Sequence, residues 1–495
     1  MDSSKQQGWG RYQFFCENIG QICWKAFKGG GGLILCGWAV YVFFLVLSTH
    51  PCWQYSGCLP AGLLRGRINL LEKVINEEES ATTGLEHIVF GIAGSAQKWR
   101  ERKPFIELWW RPGQTRGFVW LDRPVNETDP QPPVRISEDT SRFNYTHPRG
   151  SRSAIRISRI VSESFRLGLP NVRWFVMGDD DTVFIPENLV RVLSKYDHRQ
   201  MYYIGSNSES TEQNVVHSYG MAYGGGGFAI SYPLAKALAR VQDDCLVRYP
   251  DLYGSDQRVQ ACLAELGVPL TKEPGFHQFD IHGNLFGLLA AHPVAPLISL
   301  HHLDSVASVF PNMNRTAALR HLMKAAEVDP ERLLQQSICY DRRRNWTVSV
   351  SWGYCVQILD KIELPRVLEY PLQTFLTWGN SARKSSFLFN TRTVARNPCE
   401  RPTVVFLKDI IKTNLTHLVG TTYTKRAMDW VKMNCSWSPN DPESLQNIRV
   451  VSPKLQHDWT RAPRRQCCEV TSSDTHGMEI KIRNCANDET VFTPS

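Results

Sequence analysis

The chain has 495 residues, 42% apolar and 21% charged. That balance excludes a disordered polymer and supplies apolar material for more than one folded unit. The formal net charge is +8, with basic residues scattered rather than gathered in a stripe, which excludes a nucleic-acid-binding surface.

Taken in order, residues 29–49 carry no charge and 33–47 are almost wholly apolar, a length that can cross a bilayer. Lys5, Arg11, Lys25 and Lys28 precede this segment, against Asp2 and Glu17. The positive-inside rule therefore leaves a 1–28 tail in the cytosol and makes 29–49 a single-pass, type II signal anchor. A cleaved signal peptide is the rival reading. It would need an unusually long leading region, and no small-x-small cleavage site stands where it should. Six N-x-Ser/Thr sequons, at Asn126, Asn144, Asn314, Asn345, Asn414 and Asn434, all follow the anchor. Eleven of the 14 cysteines also lie beyond residue 50, as suits an oxidising lumen. Eleven is odd, so at least one is free or paired between chains. Cys245 and Cys262 are the expected pair, since they bracket the loop that carries Asp256. The expected location is the Golgi membrane, with the bulk of the chain lumenal. Residues 50–84 read as a stem with an amphipathic helix at 63–79.

A strand is expected at 87–93 (HIVFGIA), ending in Gly94 and Ser95, then a basic helical stretch at 98–110. A second strand at 117–121 ends at Asp122. Strand, helix and strand with polar residues at the carboxyl ends open a nucleotide-binding α/β layer. Residues 126–151 dissolve into Pro, Asp, Thr and Arg and read as a surface loop. A helix is expected at 153–167, where Arg152, Arg156 and Arg159 either form a solvated face or approach phosphates.

Residues 174–184 read WFVMGDDDTVF. An apolar run that stops at Gly178 is a short buried strand, and three acids, Asp179, Asp180 and Asp181, end it. Clustered acids repel one another and lose hydration, so a cation should compensate them. Hard oxygen ligands at the carboxyl end of a strand suit Mg²⁺ or Mn²⁺ bridging to phosphate; a solvated acidic turn is the plainer alternative. Short elements follow: a helix at 186–195, a strand at 201–204, a glycine run at 224–227 that a ligand can approach closely, and helices at 233–241 and 259–266.

Together these motifs resemble the GT-A glycosyltransferases, within the group containing fringe and the core 1 β-1,3-galactosyltransferases, and most of all its plant fringe-related branch. The resemblance rests on the DDD strand, on the segment GGGGFAI at 224–230, and on YGSDQ at 253–257. It also rests on Phe276-His277 and on SLHHLD at 299–304. It covers roughly 85–311 and implies an α/β catalytic domain with a mainly parallel sheet. By resemblance, Asp181, Asp179 and His301 would hold Mn²⁺ (Mg²⁺ second), with His302 as the fallback ligand. Asp179 and Asp180 would orient a UDP-sugar donor, Gly94 and Asp122 would lie near its nucleoside, and Gly225 and Gly226 would pack by donor and acceptor. For Gly94 and Asp122, a turn and a helix cap are equally good readings.

Inverting transfer also needs a general base across the donor sugar from the metal. Asp256 matches the second acid of the family's Asp/Glu-Asp motif, while Ser255 replaces the first. Asp251 and Glu273 are the substitutes, and a helix N-cap is the plain role for Asp256.

Residues 312–495 read as a β-rich, disulfide-containing module. A helix is expected at 323–336. Clean alternation runs through 346–358, with Trp346, Val348, Val350, Trp352, Tyr354, Val356 and Ile358 on one face. Thr347, Ser349, Ser351 and Gln357 lie on the other. Further strands are expected at 375–378, 386–389, 404–407 and 479–483. The functional expectation is transfer from a UDP-sugar to a glycan or glycoprotein hydroxyl, forming a β-1,3 bond, with oligomerisation possible. A catalytically inactive lumenal chaperone or lectin is the alternative, and a glycoside hydrolase, which needs two acids flanking a sugar, is a more distant one.

Overall fold

The computed structural model describes residues 82–126, 131–378, 386–412, 418–426, 435, 441–457, 459–474 and 476–492. The expected cytosolic tail and anchor, and the stem as far as residue 81, lie outside the described residues. Among the described residues, no helix is long and apolar enough to cross a membrane.

In chain order the first half lays down β1 (Ile88–Ala93), α1 (Trp99–Glu107), β2 (Gly117–Leu121), β3 (Val134–Ile136), α2 (Ser153–Ser158), α3 (Ile160–Arg166), β4 (Trp174–Asp179), β5 (Val183–Phe184) and α4 (Pro186–Leu193). It continues through β6 (Tyr203–Gly205), α5 (Thr211–Val216), β7 (Phe228–Ser231), α6 (Tyr232–Arg248), α7 (Ser255–Glu265), β8 (Leu270–Lys272), β9 (Phe276–His277), β10 (Ile281–Gly283), α8 (Phe286–Ala290) and β11 (Ser299–Leu300). The central sheet has seven strands in the order β3-β2-β1-β4-β7-β6-β8. All neighbours are parallel except β7, which runs antiparallel to both β4 and β6. β1 is buried along its whole length, as an apolar run in a sheet covered on both faces requires. Its register with β4 sets Ala93 opposite Asp179. The carboxyl ends of β1, β2 and β4 thus bring Gly94, Asp122 and the three acids to one edge.

The helix expected at 153–167 is instead two short helices broken at Arg159. Neither Arg156 nor Arg159 is a solvated face. The Arg159 guanidinium is buried and pairs with Glu138, Glu163 and Asp243, because a charge out of water needs partners. Arg156 donates to the Trp120 carbonyl (3.0 Å) and the Gly94 carbonyl (2.8 Å), and so braces the ends of β1 and β2.

The second half continues with α9 (Arg315–Val328) and then β12 (Gln336–Asp341), β13 (Trp346–Ser351), β14 (Cys355–Leu359), β15 (Phe375–Thr377), β16 (Thr403–Lys412), β17 (Leu418–Thr424), β18 (Asn447–Pro453), β19 (Cys467–Ser473) and β20 (Gly477–Arg483). Eight of these form a sheet ordered β12-β13-β14-β16-β17-β18-β20-β19. Three expectations change here. The helix read at 323–336 lies at Arg315–Val328 and gives way to β12. Its start is set by Asn314, whose side chain caps Ala317 N at 2.8 Å. The long strand at 346–358 is a hairpin, β13 and β14, turning at Gly353 with φ +79°. Its polar face is buried as well: Ser351 Oγ donates to the Leu289 carbonyl and Thr347 Oγ1 to the Lys361 carbonyl, each at 2.7 Å. At 386–389 only an isolated bridge from Phe387 to Ser210 forms.

Among the described residues four disulfides are present, Cys245–Cys262 as expected, Cys339–Cys468, Cys399–Cys435 and Cys467–Cys485, and Cys355 is a buried thiol. Residues 83–495 make one compact unit. One continuous apolar cluster runs from β1 and β4 through Phe310 and α9 to Trp352, Tyr354 and Phe406 of the C-terminal sheet.

Candidate active site

β4 delivers Asp179 to the sheet edge, and the next residues turn back at once. Asp179 N donates to Thr182 Oγ1 (2.8 Å), and that hydroxyl donates on to the Gly225 carbonyl (2.7 Å). One threonine therefore ties the acidic turn to the glycine run. Opposite them, the segment after β11 supplies His301. Its Nε2 lies 3.2 Å from Asp181 Oδ1 and 3.8 Å from Asp179 Oδ2. Nδ1 faces the Gln278 carbonyl at 3.2 Å, a bond that fixes which nitrogen points at the acids.

The two glycines between these groups are sterically compelled. A Cβ on Gly225 would lie 2.1 Å from His301 Cε1, and one on Gly224 would lie 2.5 Å from Asp256 Oδ1. Gly226 N donates to Gln278 Oε1 at 2.7 Å.

Burial dominates the charges here. It lifts the Asp179 carboxyl to about 7, opposed by His301 and reinforced by Asp181, Asp256 and Asp180. Asp180 is raised to about 6 by burial and the charge of Asp181. Burial would raise Asp181 too, but His301 and Arg102 hold it well below the usual carboxylate range. For His301, burial alone would lower the imidazole, yet Asp181 and Asp179 push it up to about 9. The acids thus carry more negative charge than their surroundings balance. Asp179, Asp181 and His301 offer two carboxylate oxygens and a ring nitrogen within 4.8 Å of one another. That donor set fits Mn²⁺ or Mg²⁺. Cys467, Cys485 and Glu489 also fall close together, but the cysteines are joined as a disulfide and leave no thiolate.

The other expected residues divide. Asp256 sits in the first turn of α7, and Gly254, not Asp256, is the N-cap. Gln257 Oε1 accepts from Tyr253 N (2.9 Å) and Gly254 N (3.3 Å), so the capping is done by its neighbour. The Asp256 carboxylate accepts instead from Ser255 Oγ (3.0 Å) and the Gly224 amide, and burial raises its pKa. Glu273 is turned away, paired with Lys195 and Tyr196, and Asp251 is exposed. Asp122 Oδ1 accepts from Ala96 N at 2.8 Å and so shapes the loop after β1. Gly94 lies against Asp180, whose Oδ2 would be 3.2 Å from a Cβ there. His302 Nδ1 lies 3.2 Å from Asp280 Oδ1, and the charge of His302 also reaches Asp181.

Three participants were missed from the sequence. Arg102 of α1 pairs with Asp181 and, at 2.8 Å, with Asp304; only the basic character of 98–110 hinted at it. Asp280, four residues past Phe276, accepts from Ser208 Oγ (2.6 Å) and faces His302 Nδ1 (3.2 Å). Trp378, just after β15, stacks on His302 (centroids 4.8 Å apart, 5° between planes) and on His282 (4.6 Å, 16°). His302 is held at φ +53°, a conformation a β-carbon resists, and its ring lies 3.9 Å from that of His301. A stacked pair contributes about 0.5–1.5 kcal/mol, so Trp378→Ala should destabilise the protein by about that much. Trp378→Phe should keep most of that stability, as denaturation of both variants will report.

With this geometry in hand, comparison with known proteins is informative. The fringe-like family model matches residues 83–340, just over half of the chain. The chain belongs to the fringe-like family. A second model, described as a protein of unknown function (DUF604), matches residues 213–468 and so spans the junction between the two halves. Lunatic fringe of Gallus gallus, named as a β-1,3-N-acetylglucosaminyltransferase, is 26% identical over 169 residues, 29% of this chain and 45% of the relative. The Danio rerio lunatic fringe is 32% identical over 130 residues, 21% of this chain and 32% of the relative. A Homo sapiens β-1,3-glucosyltransferase is 30% identical over 105 residues, 21% of this chain and 20% of the relative. The matches therefore cover less than half of each of these fringe-like relatives. Trp378 lies beyond the end of the fringe-like match.

Proposed function

We propose that this chain is an inverting glycosyltransferase that moves a sugar from a UDP-sugar to a hydroxyl of a glycan or glycoprotein, forming a β-1,3 bond in the Golgi lumen. One observation carries the reading. Asp256 and His301 flank the adjacent glycines 224 and 225, with Asp179 and Asp181 on the far side of His301. The glycine run thus sets a carboxylate base beside a cation-binding group, the two functions that single displacement at an anomeric carbon calls on. The names of the relatives support the β-1,3 linkage.

Asp256 takes the proton of the acceptor hydroxyl as that oxygen bonds to the anomeric carbon. The bond from that carbon to the diphosphate breaks on the opposite face. Asp179, Asp181 and His301 would hold Mn²⁺ or Mg²⁺, which when bound would supply charge neutralisation for the departing diphosphate. Arg102 keeps Asp181 ionised and aimed, Asp180 faces the donor across Gly94, and Thr182 holds the acidic turn against the glycine run. Assay of the purified protein with UDP-galactose, UDP-N-acetylglucosamine and UDP-glucose, with and without EDTA, tests this. Absence of chelator-sensitive transfer or hydrolysis with every donor would remove it.

Metal binding should also be strongly pH-dependent. A ligand must shed its proton before it binds a cation. With His301 near 9 and Asp179 near 7, one proton leaves per ion between pH 7 and 9, and a second joins below 7. Affinity should therefore rise about tenfold per pH unit in the upper window and more steeply in the lower one. Calorimetry in buffers of different ionisation heat counts those protons; a pH-independent affinity would contradict the ligand set.

A further inference from the structure

The loop that brings in Asp256 also carries an aromatic ledge, and we propose that this ledge binds a neutral pyranose ring of the acceptor, resting on Tyr253 and His217 with its hydroxyl edge turned to Tyr223 and Asp256. The proposal rests on the transferase reading and names the acceptor chemistry of the same site. Tyr253, three residues before Asp256, is 45% exposed and stacks on His217, with centroids 5.4 Å apart and planes 27° apart. Tyr253 is also fixed in place. Tyr145 Oη donates to the Tyr253 carbonyl at 2.8 Å, and Tyr253 N donates to Gln257. The pair is thus a rigid shelf rather than a loose side chain.

A second observation is independent of the first. Tyr223 is 5% exposed, and its hydroxyl has no hydrogen-bond partner among the described residues. A buried hydroxyl left unpaired costs free energy. Tyr223 immediately precedes Gly224, which packs on Asp256, and its ring meets His217 edge-on at 6.4 Å. Burial pushes its phenol well above the ordinary range, with Asp280 and Asp256 adding, so it stays protonated and able to donate. The occupant must therefore offer C–H groups on a flat face, an acceptor oxygen for Tyr223, and hydroxyl donors for the carboxylates on its edge. A pyranose does all three. An apolar aglycone would leave Tyr223 unpaired, and an anionic sugar would meet Asp256 and Asp280.

The test is saturation-transfer NMR and acceptor KM with a panel of neutral disaccharides, on the wild-type protein and on Tyr253→Ala, Tyr253→Trp, His217→Ala and Tyr223→Phe. Melting temperature and UDP affinity serve as controls of folding. Tyr253→Ala and His217→Ala should weaken saccharide binding at least tenfold, Tyr223→Phe severalfold, and Tyr253→Trp should retain it. Wild-type acceptor KM in Tyr253→Ala and His217→Ala, while transfer persists, would overturn the ledge and leave the transferase reading standing. Saccharide binding that depends on Tyr253 in a protein without transfer would uphold the ledge and remove the transferase. Binding of apolar aglycones alone, or of no saccharide at all, would overturn the ledge.

Discussion

Replacing Asp256 with asparagine should slow transfer on the order of 10²- to 10⁴-fold and leave the melting temperature and UDP affinity close to wild type. Asparagine keeps the shape and an oxygen that can accept from Ser255 and the Gly224 amide, but it cannot take up a proton. The helix does not depend on Asp256 for its cap, because Gly254 holds that position and the Gln257 side chain serves the free amides. Burial raises the Asp256 pKa, which strengthens the base. The sign follows directly: the working form is the carboxylate, so transfer in the wild type should fall as pH drops through a value above the usual carboxylate range. Initial rates across pH, with single-turnover measurements on the variant, check both parts. A folded, donor-binding Asp256→Asn protein with near-normal transfer would reduce this residue to a structural acid.

Asp181→Ala should have the next largest effect, a loss of metal-stimulated turnover of about 10³-fold, corresponding to the several kcal/mol of Lewis-acid stabilisation such an ion supplies. Of the three acids, Asp181 alone is held ionised by its surroundings, with His301 and Arg102 on it. Its removal takes away a ligand and also the group that orients His301. Arg102 keeps Asp304 as a partner, so the fold should survive the change. His301→Ala should reproduce the defect in Mn²⁺ titrations. Full metal-dependent turnover in both variants would exclude this donor set.

Much of this was readable beforehand, for reasons that lie in local physics. β1, β2 and β4 are short apolar runs closed by glycine or acid, and a strand buried on both faces can hardly read otherwise. The DDD cluster stood out because three acids ending such a run repel one another and lose hydration. What escaped were partnerships across long stretches of chain. Arg102 is one of several basic residues in its helix and is distinguished only by folding against Asp181. Asp280 and Trp378 reach the site through the short ribbon of β10 and β15, which local periodicity does not reveal. The misplaced helix at 323–336 and the unbroken strand at 346–358 share another cause. Apolar spacing continues across Gly353 and past Val328, while the turn and the sheet are imposed by distant partners. Burial of Ser349 and Ser351 on the polar face belongs to the same class.

The disulfide between Cys339 and Cys468 joins β12 to β19, the first and last strands in the order of the C-terminal sheet. An outermost strand ordinarily presents unpaired amides and carbonyls on which another chain can add. Here the two margins are riveted to each other, with Cα atoms 5.4 Å apart. Cutting the chain at residue 340, where the fringe-like match stops, would undo that. β12 would lose β13, Cys339 would be left as a lone thiol, and Phe310, which packs on Tyr354 and Phe406, would face water. The fringe-like segment is therefore not detachable, and strands that lie wholly outside it cover its apolar face.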